Sequence, residues 1–389
     1  MVMNKTILML FTMEKNEKRG HFLLEISSQI RVFFENDIDF YICCSEESLK
    51  DIESEITSEL FSLIRDKFII FRSAENSFLD IIKNNKHKFK HERLILFFQW
   101  WTKIPIDLLL ENDGELVRLN TRWITITNIS TALRTRNRGE REVQFMNDIL
   151  KCKSFAFAFY WDPIESHNLL SQFNSKLIHL PEYHPENIFE PNQVAVKSNI
   201  KSVAFFGYRS QARGVVIFIW LAMINPQIKF TLSGYNTFHD SIFLRLNRIP
   251  FLGSKIRVIV SKCFIKIYKS LSNLTEVDQY FSDQSSLMNA IKKTGVIFIA
   301  GHKSPYSSGI ALQCLNSQIP VLWTKGNSAH SDQMQIAYPA GRLFYLYRLI
   351  PTLLSLKIRK ITQTPPLINL YPYNSYKNKL LQSIDNIEL

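Results

Sequence analysis

The sequence predicts an α/β protein built from two doubly wound parallel sheets. Three observations predict this fold class. Short apolar runs of strand length alternate with stretches of helical periodicity over residues 1–180. A segment with three prolines and no helical periodicity then interrupts the pattern, and the same alternation restarts at residue 201. Strands that alternate with helices favour parallel sheets with right-handed crossovers, and 389 residues are enough for two such domains.

The first part of the chain contains apolar strands separated by amphipathic helices. Its predicted strands cover residues 5–11, 39–45, 67–73, 93–101, 122–130 and 154–161. Its predicted helices cover residues 22–36, 48–66 and 139–152. Near-continuous runs of Ile, Leu and Phe are typical of parallel strands that are buried on both faces. We therefore predict an N-terminal domain over residues 1–180, followed by a proline-rich linker over residues 181–199.

The second part of the chain repeats the pattern. Its predicted strands cover residues 201–207, 228–234, 295–301 and 319–323, and its predicted helices cover residues 214–225, 284–294 and 310–318. We predict a second domain over residues 200–345 and a C-terminal helical tail over residues 346–389 that packs back on the N-terminal domain. Two open α/β domains imply a cleft, in which ligands lie at the carboxyl ends of the strands.

The charge of the chain indicates an acidic partner. The net charge of +12 is compatible with nucleic acid, an anionic lipid or a phosphorylated small molecule. A nucleic-acid binder is disfavoured, because the basic residues are spread over both domains and form no recognised nucleic-acid module. Residues 241–271 and 342–361 are basic and apolar and contain no acid. Such segments either lie on an anionic membrane surface or form the solvated faces of packed helices.

Cysteine spacing and hydropathy indicate in which kind of cellular compartment the protein is expected. The five cysteines are odd in number and show no C-x-x-C spacing, which disfavours disulfide and zinc frameworks and favours a reducing compartment. No run of 18 apolar residues is free of charge, so we predict no membrane span. The apolar run near the N terminus is too short for a signal peptide, and a buried first strand explains it better.

Five segments carry a family resemblance through their order along the chain. They are "RGHFLLEISSQIRVFFENDIDFYICCS" (19–45), "IHLPEYHPENIFEP" (178–191), "FFGYRSQARGVVIFIWLA" (205–222), "FTLSGYN" (230–236) and "SDQSSLMNAIKKTGVIFIAG" (282–301). The third segment is a strand, a glycine, a short loop, Arg213-Gly214 and a helix. In this order the segments resemble the glycosyltransferases of the GT-B fold, specifically the glycogen-synthase-like group 1.

The resemblance implies two Rossmann-like domains that face a cleft. It further implies transfer of a hexose from a nucleotide-diphosphate sugar to a saccharide or lipid-linked acceptor, with retention of anomeric configuration, in bacterial cell-surface polysaccharide biosynthesis. The nucleotide sugar is the donor substrate, and no separate cofactor is expected. No Asp-x-Asp lies at a predicted strand end, so we predict catalysis without a metal. We expect the protein in the cytoplasm, either free or peripheral on the inner face of the membrane.

A serine- and glycine-rich segment precedes the last predicted helix of the second domain. Ser307, Ser308 and Gly309 stand at the helix N terminus, where unpaired N–H groups and the helix dipole favour a pyrophosphate. The alternative is an ordinary serine N-cap. The family keeps two glutamates in this segment, and Pro305 and Gln313 stand at their positions. We predict that Gln313 contacts the donor, although the missing glutamates keep a non-catalytic relative open.

The loop after the first strand of the second domain is the other part of the predicted donor site. Gly207 begins this loop, and Arg209 and Arg213 follow within it. Guanidinium groups stabilise the negative charge that builds on a departing diphosphate without a metal, and we assign this catalytic role to Arg213. His302 follows a strand end and is predicted to bind the sugar or phosphate. The alternative is that both arginines are solvated surface residues.

The acceptor side is predicted in the first domain. Gly20 lets the loop after the first strand pass close to the acceptor, and His21 can orient or deprotonate an acceptor hydroxyl. The alternative for His21 is an exposed histidine at the start of a helix. A nucleotide-sugar epimerase is a second enzyme class on the same fold. It would need carboxylates in the cleft for proton abstraction, and the sequence shows no convincing pair.

Replacing Arg213 tests the predicted donor loop. Arg213→Ala is expected to weaken the binding of a nucleoside diphosphate by about tenfold or more, or about 1.4 kcal/mol, because a charge-assisted hydrogen bond to phosphate is lost. Isothermal titration calorimetry measures this change. An unchanged dissociation constant would contradict the assignment of the loop.

Overall fold

The computed structural model forms two compact units. Unit 1 comprises Met1–Pro185 and Tyr371–Leu389, and unit 2 comprises Glu186–Leu370. The structure describes residues 4–11, 22–71, 78–99, 106–127, 139–160, 173, 176–181, 201–206, 214–234, 254–277, 284–299, 310, 314, 319–324, 334–335, 342–343 and 373–387. Each unit is described by itself.

Unit 1 contains a seven-stranded parallel sheet. The strands are β1 (Thr6–Phe11), β2 (Asp39–Cys44), β3 (Phe68–Ile70), β4 (Leu94–Phe98), β5 (Thr121–Thr127), β6 (Phe155–Tyr160) and β7 (Leu177–His179). Their order in the sheet is β3-β2-β1-β4-β5-β6-β7. The order reverses between β1 and β4, which creates the switch point at which doubly wound sheets bind ligands. The predicted α/β fold class is confirmed for this unit.

The helices of the first part of unit 1 cover both faces of this sheet. They are α1 (Phe22–Glu35), α2 (Glu46–Glu55), α3 (Ser58–Ile64), α4 (Phe78–Asn85), α5 (Ile106–Glu111), α6 (Asp113–Arg118) and α7 (Gly139–Ile149). The single helix predicted over residues 48–66 is wrong, because the chain breaks there into α2 and α3. Ile56 is extended, and the Thr57 hydroxyl accepts a hydrogen bond from the N–H of Leu60 at 3.3 Å, which caps a new helix.

Alternating side chains of the unit 1 sheet build two cores. Along β1, Ile7 and Met9 pack on the face that contacts α1, whereas Leu8 packs on the opposite face. The same alternation continues through β4, where Ile95 and Phe97 face one core and Leu96 faces the other. A strand whose two faces are both buried needs apolar residues at every position. This requirement explains the uninterrupted apolar runs of the sequence.

Unit 2 repeats the architecture with a six-stranded parallel sheet. The strands are β8 (Ser202–Phe206), β9 (Lys229–Ser233), β10 (Leu274–Val277), β11 (Val296–Ile299), β12 (Val321–Thr324) and β13 (Arg342–Leu343), in the order β10-β9-β8-β11-β12-β13. The described helices are α8 (Val215–Ile224), α9 (Ser254–Lys269) and α10 (Gln284–Lys292). In the core, the Phe218 ring lies 5.3 Å from that of Phe230 and 5.7 Å from that of Phe298. The switch point lies between β8 and β11.

Several short elements are not predicted by the apolar pattern. Strands β7 and β10 have three and four residues, and β13 has two. Helices α5 and α6 have six residues each. Such segments are too short to show a period of two or of 3.6 residues. The short strands are held by pairing with longer neighbouring strands, which is a tertiary effect.

The last helix of the chain, α11 (Tyr373–Asp385), packs on unit 1. Its residues Tyr376, Leu380 and Ile384 are buried in the same core as α1. The Tyr373 hydroxyl donates to the Glu35 carboxylate at 2.6 Å at the start of the helix. At its end, the Lys5 ammonium group donates to three main-chain carbonyl oxygens, at 2.7 to 3.2 Å. Both ends of α11 are therefore tied to the first part of unit 1.

Removing the ammonium group of Lys5 is expected to destabilise unit 1. Lys5→Met keeps an apolar stem of similar length but leaves three carbonyl oxygens at the end of α11 without this donor. We expect the free energy of unfolding to fall by about 2–3 kcal/mol, measured by urea denaturation. Lys50→Met is the control, because Lys50 is exposed on α2 and its loss should change stability by less than about 0.5 kcal/mol. Equal stability of the two variants would contradict this role of Lys5.

Candidate functional site

The site residues predicted from the sequence lie outside the described residues. They are Gly20, His21, Gly207, Arg209, Arg213, His302, Ser307, Ser308, Gly309 and Gln313. Their roles stay predictions. Described strands and helices flank the segments that contain these residues. They show at which edge of each sheet the segments begin and end.

In unit 2, the predicted donor loop connects the end of β8 to the start of α8. Strand β8 ends at Phe206, and α8 begins after Gly214. Gly214 has a φ of 82° and a ψ of 19°, a left-handed conformation that costs other residues about 1–2 kcal/mol. Gly214 is the N-cap residue of α8, and among the described residues it makes no side-chain cap hydrogen bond. The glycine that follows Arg213 is thus required by the backbone, which explains this part of the family resemblance.

A buried serine stands beside the end of β8. Ser233 is the last residue of β9 and pairs in register with Phe206. Its side chain is buried, and its hydroxyl has no hydrogen-bond partner within the described part of the chain. The next residue, Gly234, has a φ of 145°, which favours glycine. An unpaired hydroxyl therefore lies at the carboxyl edge of the unit 2 sheet, next to the start of the predicted donor loop.

Two buried polar side chains stand at the carboxyl edge of the unit 1 sheet. Gln99 directly follows β4 and is 6% exposed, and Thr127 is the last residue of β5 and is 0% exposed. Strands β4 and β5 are neighbours, and Phe98 pairs with Thr125. The Gln99 amide nitrogen and the Thr127 hydroxyl make no hydrogen bond to any described residue. Leaving such a group unpaired costs about 1–3 kcal/mol, so each of them calls for an explanation.

A ligand at this edge would supply the missing partners. Hydroxyl and amide groups exchange hydrogen bonds with sugar hydroxyls and phosphate oxygens. Doubly wound sheets bind ligands at the same edge. The sequence motifs did not identify Gln99, Thr127 or Ser233 as candidate site residues. The available signal was a polar residue placed directly at the end of an apolar strand.

Three further properties concern the described residues alone. No three of their His, Cys, Asp or Glu side chains are grouped so as to hold a metal ion. Within the described ranges, no helix is both long and apolar enough to cross a membrane. All five cysteines are free thiols.

The sequence matches no protein-family model and none of the curated proteins. The structure, in contrast, matches solved structures along nearly its whole length. The Anabaena protein HepE in complex with UDP and glucose aligns with a TM-score of 0.58 and 11% identity, over 99% of this chain and 100% of HepE. The chain has the GT-B fold. The prediction of two Rossmann-like domains is thereby confirmed.

Two further structures share this fold. A glycosyltransferase from Rickettsia africae aligns with a TM-score of 0.52 and 12% identity, over 99% of this chain and 94% of the other. The UDP-GlcNAc 2-epimerase from Neisseria meningitidis, bound to UDP-GlcNAc, aligns with a TM-score of 0.51 and 12% identity, over 97% of this chain and 99% of the other. At these identities the shared property is the fold, which hosts transferases and epimerases alike.

Proposed function

We propose that this protein is a glycosyltransferase that moves a sugar from a nucleotide-diphosphate sugar to a saccharide or lipid-linked acceptor. The observation that carries the proposal is the match of both units, over the whole chain, to a protein crystallised with UDP and glucose. Unpaired polar groups at the carboxyl edge of each sheet support it, because that edge is where the fold binds ligands.

In this proposal the donor binds unit 2. Arg209 and Arg213 stabilise the diphosphate as it leaves, and the backbone and hydroxyls of Ser307, Ser308 and Gly309 receive its phosphates. His302, Gln313 and Gly207 complete the donor contacts. The left-handed Gly214 supports the role of this loop, since it fixes the turn that follows Arg213.

The acceptor binds unit 1 in the same proposal. His21 orients or deprotonates an acceptor hydroxyl, and Gly20 allows its close approach. Gln99 and Thr127 are added as acceptor contacts, because their buried polar atoms lack partners among the described residues. Retention of configuration and a role in bacterial cell-surface polysaccharide synthesis are proposed from the family resemblance, and independence of metals is proposed because no Asp-x-Asp lies at a predicted strand end.

Thr127→Val tests the acceptor contact, and Thr121→Val is its matched control. Both residues are buried in β5, but the Thr121 hydroxyl donates to the carbonyl oxygen of Leu119 at 3.2 Å, at the opposite end of the strand. We expect Thr127→Val to lower kcat/KM for transfer by about three- to tenfold without loss of stability, since its hydroxyl is unpaired. Thr121→Val should lose about 1 kcal/mol of stability and keep its activity.

Product analysis on a panel of nucleotide sugars separates the candidate functions. Transfer releases a nucleoside diphosphate and forms a new glycoside. An epimerase, the function of the Neisseria neighbour, would instead convert the nucleotide sugar without any acceptor. A non-catalytic relative would bind the nucleotide and turn nothing over. Either of these results, or equal transfer by Thr127→Val and wild type, would contradict the corresponding part of the proposal.

We also propose that unit 2 contacts an anionic membrane surface through α9. This helix carries five lysine or arginine residues and no acid. Ile259 and Ile267 are 59% and 45% exposed, and Lys262 and Lys266 are exposed beside them. Apolar side chains flanked by cations are typical of helices that lie in the interface of an anionic membrane. This arrangement would bring the active site to a lipid-linked acceptor.

Vesicle binding tests this surface. The double variant Ile259→Ser/Ile267→Ser is expected to bind vesicles of phosphatidylcholine and phosphatidylglycerol about tenfold more weakly, because the apolar contribution is lost. Ile224→Ser is the control, since Ile224 is also an exposed isoleucine of unit 2. Cosedimentation measures the partitioning. Unchanged partitioning of the double variant would refute a contact through α9.

A further inference from the structure

A cationic cavity lies at the amino edge of the unit 1 sheet. It has a volume of about 700 Å³ and is bounded by the first residues of β5 and β6, the start of β7 and one side of α11. The four charged side chains recorded in its lining are Arg122, Lys153, Lys176 and Lys379. All of them are cations, and the lining residues that the structure describes include no carboxylate. A volume of this size fits a ligand as large as a nucleotide.

Four cations line this cavity, and Asp113, which is not part of the lining, acts electrostatically on one of them, Lys153. Arg122 and Lys176 are half-buried, and burial followed by the charge of Arg122 lowers the pKa of Lys176. The Lys176 ammonium group donates a hydrogen bond to the carbonyl oxygen of Phe155 at 3.2 Å and lies 5.8 Å from the centre of the Phe155 ring. The Asp113 carboxylate accepts hydrogen bonds from the main-chain N–H groups of Lys153 and Ser154, at 2.8 Å each, and from the Ser154 hydroxyl. Because Arg122 disfavours the charged form of Lys176, an anion bound beside the two would be favourable.

The cavity is formed mainly by residues of regular strands and of a helix, not by long loops. The pairing of β5 with β6 is irregular, because Trp123 pairs with Phe155 whereas the next residue, Ile124, pairs with Phe157. One extra residue in β6 therefore bends that strand where the cavity opens. On the other side of the cavity lie Lys379 and Gln382, which belong to α11, and Asn386, which directly follows that helix. Amides add neutral hydrogen-bond donors beside the cations.

We propose that this cavity is a second binding site, which takes a small anion bearing two or more phosphate groups. Phosphate oxygens would receive the guanidinium and ammonium donors of the four cations. The site stands apart from the predicted substrate site, because β5 carries Arg122 at one end and Thr127 at the other, about 15–20 Å away. The inference does not rest on the proposed glycosyl transfer.

Inorganic pyrophosphate is the first probe, and isothermal titration calorimetry on the full chain is the measurement. The test variant is Lys153→Gln/Lys379→Gln, because both lysines are exposed and their replacement should not disturb folding. The control is Lys377→Gln, which makes the same change on α11, on a side chain that contacts the Tyr373 ring at 5.8 Å instead. We expect binding at least about tenfold weaker in the double variant and unchanged in the control.

Three results would overturn the proposal. They are equal affinity of the double variant and wild type, equal losses in the double variant and control, and a loss of all pyrophosphate binding in Arg213→Ala. The last would place the bound anion in the predicted donor loop. Vesicles containing phosphatidylinositol 4,5-bisphosphate, a lipid whose headgroup carries several phosphates, are the second arm of the test. If vesicle binding depends on Lys153 and Lys379, the phosphates are supplied by a lipid headgroup, whereas pyrophosphate binding alone indicates a soluble ligand.

Discussion

The return of the chain to its first sheet depends on one buried ammonium group. Lys5 stands just before β1, and it donates to the carbonyl oxygens of Ile384, Asp385 and Ile387 at the end of α11, at 3.2, 2.7 and 2.8 Å. The last carbonyls of a helix have no partner within the helix and carry the negative end of its dipole. A single lysine donates to two of the last carbonyls of α11 and to that of Ile387, two residues beyond the helix, and so links α11 to the start of β1.

This contact makes unit 2 an insertion within unit 1. The partners of Lys5 are more than 375 residues away along the chain, and the whole of unit 2 lies between them in sequence. Burial lowers the pKa of Lys5, and the neighbouring Asp385 acts in the opposite direction. The contact is therefore worth less than three isolated hydrogen bonds. The remaining stabilisation of α11 is apolar, through Tyr376, Leu380 and Ile384, which join the core beneath α1.

The sequence was informative where structure is set by local pattern. Long apolar strands and the restart at residue 201 reveal two doubly wound sheets, because strands buried on both faces must be apolar throughout. The sequence did not predict properties that arise from contacts between residues far apart along the chain or from a single hydrogen bond. Nothing in the period of residues 48–66 marks the break at Thr57, which depends on one hydroxyl. Likewise, Thr127 and Arg122 belong to the same strand. Only the packing of the sheet shows that the Thr127 hydroxyl has no partner among the described residues and that Arg122 lines a cavity.

The two edges of the unit 1 sheet have different chemistry, and this difference constrains how they can interact. The carboxyl edge presents neutral, unpaired groups such as Thr127, whereas the amino edge presents four cations. Substitutions at two sites this far apart that share no partner change the free energy of unfolding additively. A ligand at one edge would therefore alter affinity at the other only through an element that both contact or that changes state as a whole.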